Sequence, residues 1–141
     1  MGLILDTSVL IAAERARLDL PRLFAAHAEE PFALAAITAS ELLHGVERAE
    51  SGPRRRERSA FVEAVLAELD VIDFDLLVAR RHADLWAELE RLGERIGPHD
   101  LQIAATALHL NYGLVTLNPA EFRQVPGLRL EDAAAFRRDP A

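Results

Sequence analysis

Short apolar runs alternate along this chain with longer stretches of helical spacing, a pattern that predicts repeated strand and helix units. Leu3-Ile4-Leu5 is apolar at every position, as expected of a strand covered on both faces, and Val9 to Ala13 resumes an apolar pattern suited to a helix. Pro21 can open a second helix with Leu23, Phe24 and Ala25 on its apolar side, because its missing N–H costs nothing in a first turn. Pro31 breaks that pattern. Phe32 to Ile37 reads as a strand, and a helix starting at Thr38 continues through Leu42, Leu43 and Val46. Ser51-Gly52-Pro53 marks a turn, after which Phe61, Val62, Val65, Leu66 and Leu69 recur at helical spacing as core. Residues 71–74 form a short strand or its remnant, and residues 76–92 a long amphipathic helix ended by Gly93. The helix opened by Gly97-Pro98 is nearly all apolar and is expected to be buried. Leu114 to Leu117 is a further short strand, and Val125 to Leu130 holds a turn and an edge strand. The resulting fold class is α/β: a central parallel sheet of about four or five strands with helices on both faces.

Polar residues interrupt this pattern at one kind of place. Asp6-Thr7-Ser8 stands where the first strand hands over to a helix, the carboxyl edge at which open α/β sheets bind ligands. Glu41 follows the second strand, Asp100 lies in the first turn of the buried helix, and Asn118 and Glu121 follow the last apolar strand. Each has a purely structural explanation. Asp6, Thr7 or Ser8 can cap a helix, Thr38-x-x-Glu41 spells a capping box, and Asn118 can cap a helix with Pro119 at its first position. Asp100 would complement the helix dipole, an effect typically under about 1 kcal/mol. Several carboxylates gathered at one sheet edge would repel one another unless divalent cations neutralised them, and oxygen ligands select Mg²⁺ or Mn²⁺. Such ions orient water, lower its pKa and stabilise the charge that develops when a phosphodiester is cleaved. His44 reads as a surface or half-buried residue rather than a base or ligand, His99 as either exposed or a support to the site residues, and Trp86 as a core or interface anchor.

Composition narrows the setting. A chain of 141 residues, half of them hydrophobic, is read as one domain over residues 1–141. It has no cysteine, which excludes thiolate metal sites, and no apolar stretch long enough for a bilayer. Met1-Gly2 runs straight into a strand, so a soluble cytoplasmic protein with no membrane association is expected. The net charge of −7 argues against an unassisted polyanion binder, and a metal ion offers a way round it. Arg54, Arg55, Arg56 and Arg58 form the densest positive patch, either a grip for a phosphate backbone or a solvated helix face. Neither Gly-x-x-x-x-Gly-Lys-[Ser/Thr] nor Gly-x-Gly-x-x-Gly occurs, and lysine is absent altogether. That absence also argues against receiver domains and haloacid dehalogenase-like phosphatases, folds that place an Asp after the first strand but need a lysine.

Four segments, residues 3–11 (LILDTSVLI), 37–45 (ITASELLHG), 99–105 (HDLQIAA) and 116–122 (TLNPAEF), together resemble the PIN-domain ribonucleases, specifically the VapC toxins of toxin–antitoxin pairs. The resemblance runs over nearly the whole chain, in order. It implies an endoribonuclease that hydrolyses RNA phosphodiesters with Mg²⁺ or Mn²⁺ and so restricts translation and growth. By the same resemblance Asp6, Glu41 and Asp100 match the metal-binding acids, and Thr7, Ser8 and Thr116 match polar residues lining the site. The closing motif departs from the commonest pattern, offering Asn118 and Glu121 where an Asp is often found. Either Glu121 supplies a fourth catalytic acid, with Asn118 contacting substrate, or the site relies on three. Implied partners are the RNA substrate, a cognate antitoxin protein and a second copy in a homodimer or larger toxin–antitoxin assembly. The rival expectation is a catalytically inactive PIN-like interaction protein whose acids only cap helices; a metal-independent ribonuclease built on His44 and His99 is a further alternative.

Overall fold

The organising strand, β1 (Leu3–Leu5), is only three residues long, yet all three side chains are fully inaccessible to solvent. It is flanked on both sides by parallel partners, β2 (Phe32–Ala35) and β4 (Gly113–Thr116). β3 (Asp70–Ile72) and β5 (Leu130–Asp132) close the edges, giving a five-stranded parallel sheet in the order β3-β2-β1-β4-β5. The computed structural model describes residues 1–138. Because the chain builds outward from β1 to β3 and then returns to place β4 on the opposite flank, the winding direction reverses beside β1. Ligands of open parallel sheets bind in the crevice that such a reversal leaves.

Alternation along β1 explains the two-sided core. Leu3 and Leu5 face one layer, with Val9 and Leu10 of α1 (Thr7–Glu14), Leu23 of α2 (Leu20–Ala26), Leu42 and Val46 of α3 (Ala36–Arg48), and Val62 and Val65 of α4 (Pro53–Glu68). Ile4 faces the other layer, with Leu85 and Leu89 of α5 (Leu76–Leu92) and Ile103 and Ala104 of α6 (Pro98–Leu110). On that side β2 presents only Ala33 and Ala35, and α6 presents a run of alanines, so helix and sheet approach closely. Helices on both faces and the bounds of α5 agree with the sequence pattern. Among the described residues no helix is long and apolar enough to cross a membrane.

Four details differ from expectation. α3 starts at Ala36, two residues before Thr38, because β2 ends at Ala35 where its ladder with Ile72 stops. The capping box is therefore not formed: Thr38 and Glu41 lie inside the helix. The segment after β4 is a 3-10 turn at Pro119–Glu121, with Asn118 preceding it but making no side-chain cap. Trp86 is 54% exposed, which removes it from the core, and its ring packs edge-on against His82. The last edge strand begins at Leu130, after the Pro126-Gly127 turn.

α1 ends in a left-handed residue that is not glycine. Ala16 has φ 58°, and Arg17 N donates to Ala12 O at 2.8 Å to close the turn. A methyl group disfavours that conformation, whereas glycine adopts it freely. Ala16→Gly should raise stability by about 0.5–1 kcal/mol, the strain relieved exceeding the extra unfolded-state freedom. Equilibrium denaturation measures this, and a lower midpoint for the variant would show that the turn is unstrained.

Candidate active site

Asp6 leaves the end of β1 3% exposed, a placement that would be costly for an unaided carboxylate. Its partners come from both sides of the switch point. Thr116 Oγ1, at the end of β4, donates to Asp6 Oδ2 at 2.8 Å, and Ser8 Oγ donates to the same oxygen at 2.7 Å. Each hydroxyl is held in turn by a backbone donor, Asn118 N on Thr116 Oγ1 at 2.9 Å and Leu117 N on Ser8 Oγ at 3.2 Å. Although Asp6 occupies the N-cap of α1, its side chain makes no cap bond, so capping does not account for it. Both hydroxyls converge on Oδ2 and leave Oδ1 without a hydroxyl donor. Burial pushes the Asp6 carboxyl up, against the lowering effect of these hydrogen bonds.

Glu41 is held at both oxygens. Thr7 Oγ1 donates to Oε1 at 2.7 Å. Its single proton goes to the charged acceptor, so the buried Thr38 hydroxyl, 3.0 Å from Thr7 Oγ1, donates to Thr7. His99 Nδ1 stands 3.2 Å from Oε2 and donates when that nitrogen carries the proton. Glu41 thus joins α3 to the first turns of α1 and α6.

Asp100 sits in the first turn of α6 and makes no side-chain hydrogen bond among the described residues. Burial, with the negative charges of Asp6, Glu121 and Glu41, pushes its carboxyl up to about 6, only partly relieved by His99. Four acids predicted from the sequence therefore feel one another's charge. They do not close onto a point: among the described residues no three Asp, Glu or His groups stand as a ready ligand set for one ion. Glu121 and Asn118 are exposed on the turn beside Thr116.

Sequence reasoning missed one contributor, Thr38, which was masked by its capping-box spacing. Of the two readings of His99 the supporting one holds, though its partner, Glu41, lies 58 residues away and no local pattern names it. The sign for Thr38 was available: it precedes Glu41 by three residues, which puts both on one helix face. His44 is exposed and lines another groove, while His99 pairs with Glu41, which speaks against the alternative of a paired-histidine centre.

Comparison with known proteins matches these features to a family. Residues 3–128 match the PIN domain family model. The chain is 34% identical over 130 residues to Ribonuclease VapC1 of Rickettsia felis, covering 92% of this chain and 95% of that one. It is 36% identical over 99 residues to the tRNA(fMet)-specific endonuclease VapC of Salmonella typhimurium, covering 70% and 73% respectively. Similar structures include VapBC2 from Rickettsia felis bound to a DNA fragment of its promoter, with TM-score 0.84 and 30% identity over 94% of this chain and 98% of that one. DNA-bound VapBC from Salmonella typhimurium superposes with TM-score 0.85 at 30% identity, over 95% and 99%. With the acids at the carboxyl edge of its sheet and this likeness along nearly its whole length, the chain belongs to the PIN-domain family, among the VapC ribonucleases.

Proposed function

We propose that this protein is a divalent-cation-dependent endoribonuclease and the toxin of a toxin–antitoxin pair. The observation that carries the reading is the crowding of acids at the sheet edge, where burial first, and then the charges of Asp6, Glu121 and Glu41, push the Asp100 carboxyl up to about 6. Carboxylates that crowd without a counter-charge suit a hard cation, and an all-oxygen donor set suits Mg²⁺ or Mn²⁺. Asp6 through Oδ1, Asp100 and Glu41, which do not stand as a closed ligand set without a cation, would draw together to hold the ion, with Glu121 as a fourth acid toward it or its water. When bound, the cation supplies a water of lowered pKa and offsets the charge gathering on the phosphate oxygens.

The remaining chemistry belongs to the chain. Thr116 and Ser8 fix Asp6 in one rotamer, and Thr7 with His99 keeps Glu41 turned toward the same edge, which limits the reorganisation needed on binding. Asn118 and Glu121, on the exposed turn beside Thr116, are the side chains placed to meet the substrate strand. Relatives of known structure are VapBC complexes, a likeness that supports pairing with an antitoxin protein; pairing with a second copy of the chain rests on the family resemblance alone.

Cleavage of a mixed RNA pool by purified, partner-free protein tests the reading. Cutting is expected with Mg²⁺ or Mn²⁺, and is expected to vanish both in EDTA and in Asp6→Asn. Cutting that survives EDTA would overturn the metal mechanism. A folded protein that cuts no RNA under any of these conditions would favour the inactive interaction protein instead.

A further inference from the structure

A groove begins beside Glu41, where Ile11, Leu42 and Phe61 form an apolar floor and Arg15 and Arg58 stand along its wall. It shares Glu14, Arg15 and Arg58 with a second groove that carries Arg17, Arg54 and one further acid, Glu57. The two are therefore one path, running from an acid of the candidate centre, between α1 and α4, to a set of guanidinium groups.

Charge along this path is not evenly distributed. Arg58 is engaged: its Nε is 3.2 Å from Glu14 Oε1, and it donates to Gly45 O at 3.3 Å, tying α1, α3 and α4 together. That strut neutralises Glu14 and holds the walls in place. Arg15, Arg17 and Arg54, by contrast, are exposed and make no ion pair among the described residues. Arg15 and Arg17 flank the left-handed Ala16, so the turn that ends α1 sets both at the mouth of the groove. In a chain of net charge −7, three unpaired guanidinium groups on one path beside the acidic centre are a local exception.

We propose that the sugar–phosphate backbone of a single-stranded RNA runs along this groove, with phosphates taken by Arg15, Arg17 and Arg54 and the flanking nucleotide resting over Ile11. The proposal rests on the nuclease reading of the neighbouring acids. An apolar floor next to the centre suits a base or ribose, and guanidinium groups beyond it suit phosphate oxygens, which they meet in a planar, paired geometry. This also offers an acidic protein a local way to engage a polyanion, through a track of guanidinium groups beside its acidic centre. An acidic segment of a protein partner would meet the same arginines, and the salt dependence of RNA binding separates the two.

The test uses the full chain carrying Asp6→Asn, so that a short labelled single-stranded RNA is bound but not cut. Affinity is measured against salt, with and without Arg15→Gln and Arg54→Gln together. Each lost phosphate contact on a single strand lowers the log–log salt slope by about 0.7, so the double variant should lose about 1.4 of slope. The affinity gap between parent and variant should then narrow about sevenfold from roughly 50 to 200 mM salt. Arg80→Gln, on the exposed surface of α5, should leave the slope unaltered. An unchanged slope in the double variant, with RNA still bound, overturns the track and leaves the nuclease reading intact. Conversely, an arginine-dependent slope in a protein whose wild type cuts no RNA supports the track and overturns the nuclease reading. Absence of any RNA binding overturns both.

Discussion

Under the proposed metal mechanism, replacing Asp100 with Asn should reduce RNA cleavage about 100-fold or more, since the change would remove a ligand of the catalytic ion and several kcal/mol of transition-state stabilisation. The same change should make the metal-free protein more stable at neutral pH. The sign follows from the proton. Burial and the charges of Asp6, Glu121 and Glu41 hold the Asp100 carboxyl up at about 6, against an ordinary 3.8. Below 3.8 folded and unfolded chains both carry the proton, and stability does not depend on this group. Between 3.8 and about 6 the folded chain keeps a proton that the unfolded chain has released, so rising pH destabilises the fold across that window. Above it the cost is complete and constant. Asn carries no charge, so Asp100→Asn should flatten this part of the pH profile and melt higher than wild type at neutral pH in EDTA. Mg²⁺ should raise the melting temperature of wild type more than that of the variant. A variant that melts lower in EDTA and still cuts RNA would remove Asp100 from the site and deny the repulsion.

Phe122→Ala should cost about 3–5 kcal/mol, the usual range for emptying a large aromatic site in a packed core. Phe122 is 1% exposed and is the bulkiest fully buried side chain of the fold. It follows directly on the 3-10 turn that carries Glu121, and its N–H donates to Pro119 O at 3.0 Å. The ring therefore pins the turn beside Thr116 to the α5–α6 layer. A domain with a net stability of about 5–15 kcal/mol would lose a large share of it, and Phe122→Leu should recover more than half of the loss. Equilibrium denaturation gives both values. A cost below about 1 kcal/mol would mean that the pocket collapses around the missing ring and that the turn is anchored elsewhere.

What could be read in the sequence, and what could not, divides by the range of the interactions concerned. The unbroken apolar character of Leu3-Ile4-Leu5 reports burial on two faces, and Gly93 at φ 69° ends α5 where the pattern stops. These are local effects of side-chain type and backbone freedom. That Asp6, Glu41 and Asp100 come near one another could be anticipated because the first two follow apolar strands and the third opens a buried helix, positions that meet at one edge of a parallel sheet. The role of Thr38 was not legible, because the start of α3 depends on where the ladder between β2 and β3 stops rather than on capping preference. The contact of His99 with Glu41, like the path that joins Glu41 to Arg54, depends on how three helices pack, and local spacing carries no record of it.

The bond between Thr116 and Asp6 joins residues 110 positions apart. During synthesis β1 leaves the ribosome early, but its flank on the β4 side stays open until Gly113–Thr116 has followed it. Through most of its own translation, then, the chain carries Asp6 with only one of the two hydroxyls that orient it. Such high contact order delays completion of the centre to the end of folding. A protein that attacks RNA is in this way assembled on an RNA machine with its cutting edge still in two pieces.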